Sequence, residues 1–170
     1  MKLVKLGAAA LNQTPLDWEG NKQNIIDAIE KAEKEEVQIL CLPELCITGY
    51  GCEDSFFMPY VLDRAFEVLV EIVQHARENA TPTFTVGLPI AHGNGVFNCT
   101  VIIDSSIGRG GSPRWEDKVT IIPKQNLCSD GVHYESRWFL AWPAGKRSTF
   151  KLANETIWFG DNIHNHMGTD

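Results

Sequence analysis

Residues 2–11 form a near-continuous apolar run, interrupted only by lysines at positions 2 and 5 and by Gly7. Such a run suits a strand buried on both faces and predicts the first strand. A polar turn over 12–20, containing Pro15, follows. Asn21 can cap a helix. From there Ile25, Ile29 and Ala32 recur at helical spacing, with Ile26 and Ala28 beside them. Glu30, Lys31, Glu33, Lys34, Glu35 and Glu36 fill the opposite, solvated side. Residues 37–42 read as a second buried strand that ends abruptly at Pro43-Glu44. A loop over 45–59, rich in Gly, Cys and aromatic residues, leads to a second helix. Leu62, Phe66, Leu69, Val70 and Val73 lie on one side of it, and it runs out near Asn79, before Pro82.

The remaining pattern is strand-rich. Residues 83–88 form a strand closed by Pro89, 96–104 another, and 118–122 a fifth closed by Pro123. The segment 105–113 holds three glycines and reads as a turn or loop. A long polar loop covers 124–137, and short strands are predicted at 149–152 and 156–159. Residues 160–170 show no clear pattern. Strand, helix, strand, helix and then closely spaced strands describe an α/β layered fold. No repeat or linker divides residues 1–170, so they read as part of one domain. The final segment has neither a last helix nor a polar taper, and does not read as a domain end.

Composition narrows the function. The chain has 170 residues, 44% hydrophobic and 22% charged, ordinary for a globular domain able to bury a core without disulfides or metals. A net charge of -7 with scattered Lys and Arg gives no support for nucleic-acid binding. No stretch is apolar for long enough to span a bilayer. The start, with two lysines and an apolar run ending in alanines, has the outline of a signal peptide. The run is short and reads on as a strand, which places the protein in the cytoplasm. Five cysteines (Cys41, Cys46, Cys52, Cys99 and Cys128) at irregular spacing suggest reduced thiols. No C-x-x-C pair occurs, and His164 and His166 have no further ligands near them in sequence, so no metal site is expected.

Two predicted strands end with an ionisable residue immediately after them, Glu44 and Lys124. Strand ends are where α/β folds build their sites. A carboxylate and an ammonium brought together there could do acid–base and electrostatic work. Spacing alone leaves the simpler alternative, two surface residues at loop starts, in front.

Longer strings shift that balance. Leu42-Pro43-Glu44-Leu45-Cys46-Ile47-Thr48-Gly49-Tyr50 resembles the first signature of the nitrilase, or carbon–nitrogen hydrolase, superfamily. Pro123-Lys124-Gln125-Asn126-Leu127 resembles its second. Gly87-Leu88-Pro89 with Phe97-Asn98-Cys99-Thr100-Val101 resembles the sheet between them. Gly49-Tyr50-Gly51-Cys52-Glu53-Asp54 and His133-Tyr134-Glu135-Ser136-Arg137-Trp138-Phe139 resemble one branch, the amidase domain of glutamine-dependent NAD synthetases. The resemblance extends to about Asp161.

The resemblance implies a nitrilase-type αββα sandwich, here incomplete and lacking its C-terminal part. It also implies a Glu-Lys-Cys triad. Glu44 matches the glutamate, a general base for the thiol and later for the hydrolytic water. Lys124 matches the lysine that stabilises the tetrahedral oxyanion. Glu135 matches a second glutamate that orients the lysine and the substrate. Tyr50 and Tyr134 would line the pocket, although a packed aromatic is an equal reading for Tyr134. The family's cysteine lies in a later string, Gly-x-Glu-Ile-Cys-Glu, which does not occur here. Cys41 and Cys99 fall within strands, and Cys46, Cys52 and Cys128 fall in loops away from that position. Met167-Gly168-Thr169-Asp170 resembles the start of the missing string, so a continuation into the cysteine is expected.

On this resemblance the substrate is L-glutamine and the partner is a synthetase domain absent from these residues. That domain would use ATP, Mg and deamido-NAD. The chain itself needs no cofactor and holds no P-loop. Homo-oligomers are expected. Another small-amide amidase, or an inactive relative serving as a binding or assembly module, remain open alternatives.

Overall fold

The computed structural model describes residues 3–104 and 118–161. The glycine-rich turn expected at 105–113, His164, His166 and the 167–170 string lie outside the described residues.

Among the described residues seven strands form one mixed sheet: β1 (Leu6–Ala8), β2 (Ile39–Cys41), β3 (Thr83–His92), β4 (Gly95–Ile103), β5 (Val119–Pro123), β6 (Arg147–Leu152) and β7 (Glu155–Gly160). Their order is β1-β2-β3-β4-β5-β7-β6. β1, β2 and β3 run parallel, and β3, β4 and β5 alternate antiparallel. β7 pairs parallel with β5, and β6 closes as a hairpin on β7. Two helices, α1 (Trp18–Lys34) and α2 (Pro59–Glu78), pack on one face of this sheet. The α/β class expected from the sequence is therefore present, as one helical layer on one sheet.

Alternation along the strands decides which residues face the helices. Phe84, Val86, Leu88 and Ile90 of β3 pair with Ile103, Val101, Cys99 and Phe97 of β4, and all are buried. They meet Ile25 and Ile29 of α1 and Leu69, Ile72 and Val73 of α2 in one core. The intervening residues, Thr85, Gly87, Asn98, Thr100 and Ile122, point to the opposite face. That face is the one from which the candidate site opens.

Several sequence expectations need correction. The first strand is three residues long, lies at the sheet edge and is not buried on both faces; Leu6 is 69% exposed. Its apolar run signalled a strand, but only β2 lies beside it. Asn21 does not cap α1. Asp17 does, its carboxylate accepting from the Gly20 N–H. Asn21 is instead buried one turn in, where its amide ties the Thr14 and Ile47 carbonyls. The buried face of α2 is centred on Val61, Ala65, Val68, Leu69, Ile72, Val73 and Ala76, so Leu62, Phe66 and Val70 flank it. β3 continues through Pro89 to His92. The register of β2 ends opposite Thr85, so Pro89 needs no N–H on that side.

Candidate active site

The turn after β2 carries Glu44. It crosses directly over β3 at Gly87, where the Ile47 N–H donates to the Gly87 carbonyl at 3.1 Å. A β-carbon at position 87 would run into the Leu45 backbone nitrogen, so glycine is what lets the turn lie this close. Leu45 takes a positive φ of 50° within the same turn. Lys124 follows the last residue of β5, and its N–H donates to the Asn98 carbonyl of β4 at 2.8 Å. Glu135 begins a 3-10 turn, Glu135–Arg137, and folds back beneath the lysine.

These placements bring three charged groups together. The Lys124 Nζ lies 2.8 Å from Glu44 Oε1 and 2.9 Å from the Glu135 carboxylate. Glu135 is 2% exposed, an unusual depth for a carboxylate. It is fully engaged: besides Lys124, Oε2 accepts from the Cys128 N–H at 2.6 Å and Oε1 from the Asn98 Nδ2 at 3.3 Å. Asn98 also donates to Glu44 Oε1 at 2.5 Å. Its amide therefore ties both carboxylates to one buried point on β4.

The electrostatics follow from this geometry. Burial works against the Lys124 ammonium, but hydrogen bonds to Glu44 and Glu135 outweigh it and hold its pKa above the ordinary lysine value. Burial likewise opposes the Glu135 charge. The Cys128 N–H and Lys124 overcome it, leaving the carboxyl below its usual range. Lys124 and Glu135 are thus held ionised at neutral pH. A groove of about 590 Å³ opens beside it, with Glu44, Asn98, Lys124, Thr85 and Thr100 among its lining.

The two tyrosines stand differently. Tyr50 is half exposed, close enough that burial, Glu44 and Glu135 raise its phenol pKa. Tyr134 is 59% exposed and precedes the Glu135 turn. Neither lines the groove just described. The sequence reading missed two partners: Asn98 and the Cys128 N–H. Asn98 carried a signal, an amide between Phe97 and Cys99 in a largely apolar strand. The backbone donor carried none.

No thiol completes the trio. Burial pushes Cys46 up to about 11 and Cys99 well above the ordinary thiol value, and raises Cys52. Cys128 is raised by desolvation and by Asp130 and Glu135, and its sulfur lies against Asp130. Cys41 lies on β2, within reach of the Thr85 hydroxyl. An amide-cleaving thiolate requires the opposite shift.

Comparison with known proteins places this geometry. The family described as carbon–nitrogen hydrolase matches residues 5–161. A glutamine-dependent NAD(+) synthetase from Drosophila melanogaster is 35% identical over 140 residues, covering 82% of this chain and 16% of the relative. The Homo sapiens protein of that name is 32% identical, covering 94% of this chain and 22% of the relative. The chain thus spans about a fifth of the length of the curated relatives it matches. The crystal structure of a glutamine-dependent NAD(+) synthetase from Cytophaga hutchinsonii superposes with a TM-score of 0.80 at 43% identity. It covers 93% of this chain and 25% of that one. An amidase from Nesterenkonia sp. shares the fold, with a TM-score of 0.64 at 19% identity over 91% of this chain and 54% of its own.

Proposed function

The chain belongs to the carbon–nitrogen hydrolase family, and from that premise we propose that it forms the Glu–Lys part of an amidase centre. Its substrate is the side-chain amide of L-glutamine, and the ammonia released feeds a synthetase domain that converts deamido-NAD to NAD. The observation that carries this reading is the single ammonium of Lys124 held between the carboxylates of Glu44 and Glu135. The names of the relatives supply the substrate and the coupled reaction.

Each residue has a distinct task. Glu44, the more exposed carboxylate, takes the thiol proton, returns it to the leaving ammonia and then activates the water that hydrolyses the thioester. Lys124 offsets the charge that develops on the amide oxygen. Glu135, buried and saturated with hydrogen bonds, is a positioning residue for Lys124. Tyr50 and Tyr134 lie outside the groove and are proposed as substrate-side aromatics on the family resemblance, Tyr50 with the added support that its phenol senses Glu44 and Glu135. The mechanism requires a cysteine other than the five described. ATP, Mg and deamido-NAD belong in this reading to the synthetase domain, and no residue of this chain is assigned to them. Cytoplasmic placement and homo-oligomerisation form part of the same proposal. Among the described residues no helix is long and apolar enough to cross a membrane.

The test separates the two half-reactions. NAD formation is measured in a polypeptide that joins these residues to the required cysteine and the synthetase domain, with glutamine and, separately, with ammonium as the nitrogen source. Lys124→Ala should abolish glutamine-supported synthesis and spare ammonium-supported synthesis. Equal loss of both would mean that Lys124 serves the fold and not the amide chemistry.

A further inference from the structure

The loop between β5 and the Glu135 turn gathers a second set of side chains that the amidase reading leaves unused. Cys128 Sγ lies 3.8 Å from Asp130 Oδ2, and the same oxygen lies 3.0 Å from His133 Nδ1. The ligand atoms of all three residues fall within 4.8 Å of one another. The other oxygen of Asp130 is already engaged. Oδ1 accepts the Val132 and His133 N–H groups at 3.0 and 2.7 Å, which aims Oδ2 at the thiol and the imidazole. A salt-bridged turn would account for Asp130 and His133 alone. The Cys128 thiol donates to that same oxygen, so three potential ligand atoms converge on one point.

The distances suit a particular class of ion. Bond lengths of about 2.3 Å to sulfur and about 2.0 Å to nitrogen or oxygen give tetrahedral edges of about 3.5 Å (S to O) and about 3.3 Å (N to O). The two observed separations lie within about 0.3 Å of those edges, a shift that a surface loop absorbs readily. Magnesium and calcium prefer all-oxygen shells, whereas one thiolate, one imidazole and one carboxylate suit zinc.

We propose that Cys128, Asp130 and His133 form a binding site for a borderline-soft divalent cation, Zn2+ fitting best, with a fourth position open to solvent. On binding, the Cys128 S–H bond breaks, its proton passes to solvent and the sulfur bonds the metal. His133 contributes neutral Nδ1. The spacing, Cys-x-Asp-x-x-His, is not among the common zinc patterns, so sequence alone gave no such expectation. Oδ1 of Asp130, held by two backbone donors, acts as the anchor that orients the ligand oxygen. The site adjoins the amidase trio through two bonds, the Cys128 N–H to the Glu135 carboxylate and the Glu135 N–H to the Cys128 carbonyl, so an occupied site fixes the segment that presents Glu135. The binding itself does not depend on the amidase reading.

The test uses the reduced, chelator-stripped protein, titrated first with Co2+ as a spectroscopic probe and then with Zn2+. The wild type should take up one equivalent of Co2+ with a thiolate-to-cobalt charge-transfer band, and Zn2+ should displace it. Cys128→Ser should lose the band, and His133→Ala should bind Zn2+ about tenfold or more weakly. These residues lie on a surface loop, so circular dichroism of the variants should match the wild type. No charge-transfer band in the wild type overturns the proposal. So does wild-type behaviour in either variant.

Discussion

At the scale of single residues, the centre works as a balanced set of charges. Glu135 is tied down by three partners, an ammonium, an amide and a backbone N–H, which together outweigh the cost of its burial. Replacing it with alanine strands the Cys128 N–H and leaves Lys124 with a single carboxylate. The expected cost is about 1–3 kcal/mol of unfolding free energy, read from denaturant titration. The pH dependence has a definite sign. The Glu135 pKa is depressed on folding, so its contribution is present above the ordinary carboxyl value of 4.5 and lost as pH falls through the lower folded value. The Lys124 pKa is raised, so its contribution is present below 10.5 and lost as pH climbs through the folded value. Thermal melts across pH should therefore show an acid limb below about 4.5 that Glu135→Gln flattens. An unchanged acid limb in that variant would place the titration elsewhere.

Asn98 illustrates what sequence reading could and could not deliver. Glu44 and Lys124 were legible because each follows a strand and sits in a specific string. Asn98 belongs to the string between them, but its role depends on β4 lying between β3 and β5, which only the sheet order reveals. With Asn98→Ala both carboxylates lose a donor. Misplacement of catalytic groups by about 1 Å costs on the order of 100-fold. Glutamine hydrolysis should fall by at least about tenfold while Lys124 and Glu44 remain in place. Full activity in Asn98→Ala would remove the amide from the positioning network.

At the scale of elements, the site depends on how closely the β2–α2 connection crosses β3. Gly87→Ala sets a methyl against the Leu45 backbone nitrogen, which can retreat only by moving the turn that carries Glu44. Overpacking of this kind costs about 1–3 kcal/mol and should also lower activity. Gly95→Ala is the control. There the methyl meets the end of the flexible, largely exposed Leu140 side chain, and the effect should be small. Equal effects of the two changes, measured by denaturation midpoint, would contradict the close crossing. The sequence marked the turn by Pro43 and the strand by its apolar alternation. It could not show their approach, because nothing local distinguishes Gly87 from a strand glycine of no consequence. The same limit explains the misread Asn21: a residue type that favours caps is here a buried bracket for two carbonyls of neighbouring loops.

At the scale of the whole molecule, the order of elements was legible from hydrophobic periodicity, and the mixed sheet with helices on one face follows from it. The position of β1 was not. An apolar run announces a strand without saying how many neighbours it has. Here Leu3, Val4 and Leu6 are exposed at the edge segment, and Ile39 of β2, paired with Leu6, is exposed beside them. Unpaired apolar edges promote association. The 170-residue chain should therefore self-associate with rising concentration, and Leu6→Lys should shift sedimentation toward the smaller species. Identical sedimentation of the two would argue against the edge as the contact.

The central claim is that Glu44 and Lys124, joined by Glu135, are the acid–base and oxyanion groups of a glutamine-hydrolysing centre. The 170 residues alone should release no glutamate, for want of the cysteine, so the most direct measurement uses a polypeptide that also carries that cysteine: its rate of glutamate release from glutamine, as wild type and as the Glu44→Gln variant, at matched circular dichroism. The account predicts hydrolysis by the wild type and a loss of about 10²–10⁴-fold in the variant, the range for removal of a general base. Hydrolysis that survives Glu44→Gln, or a wild type that releases no glutamate, would contradict it.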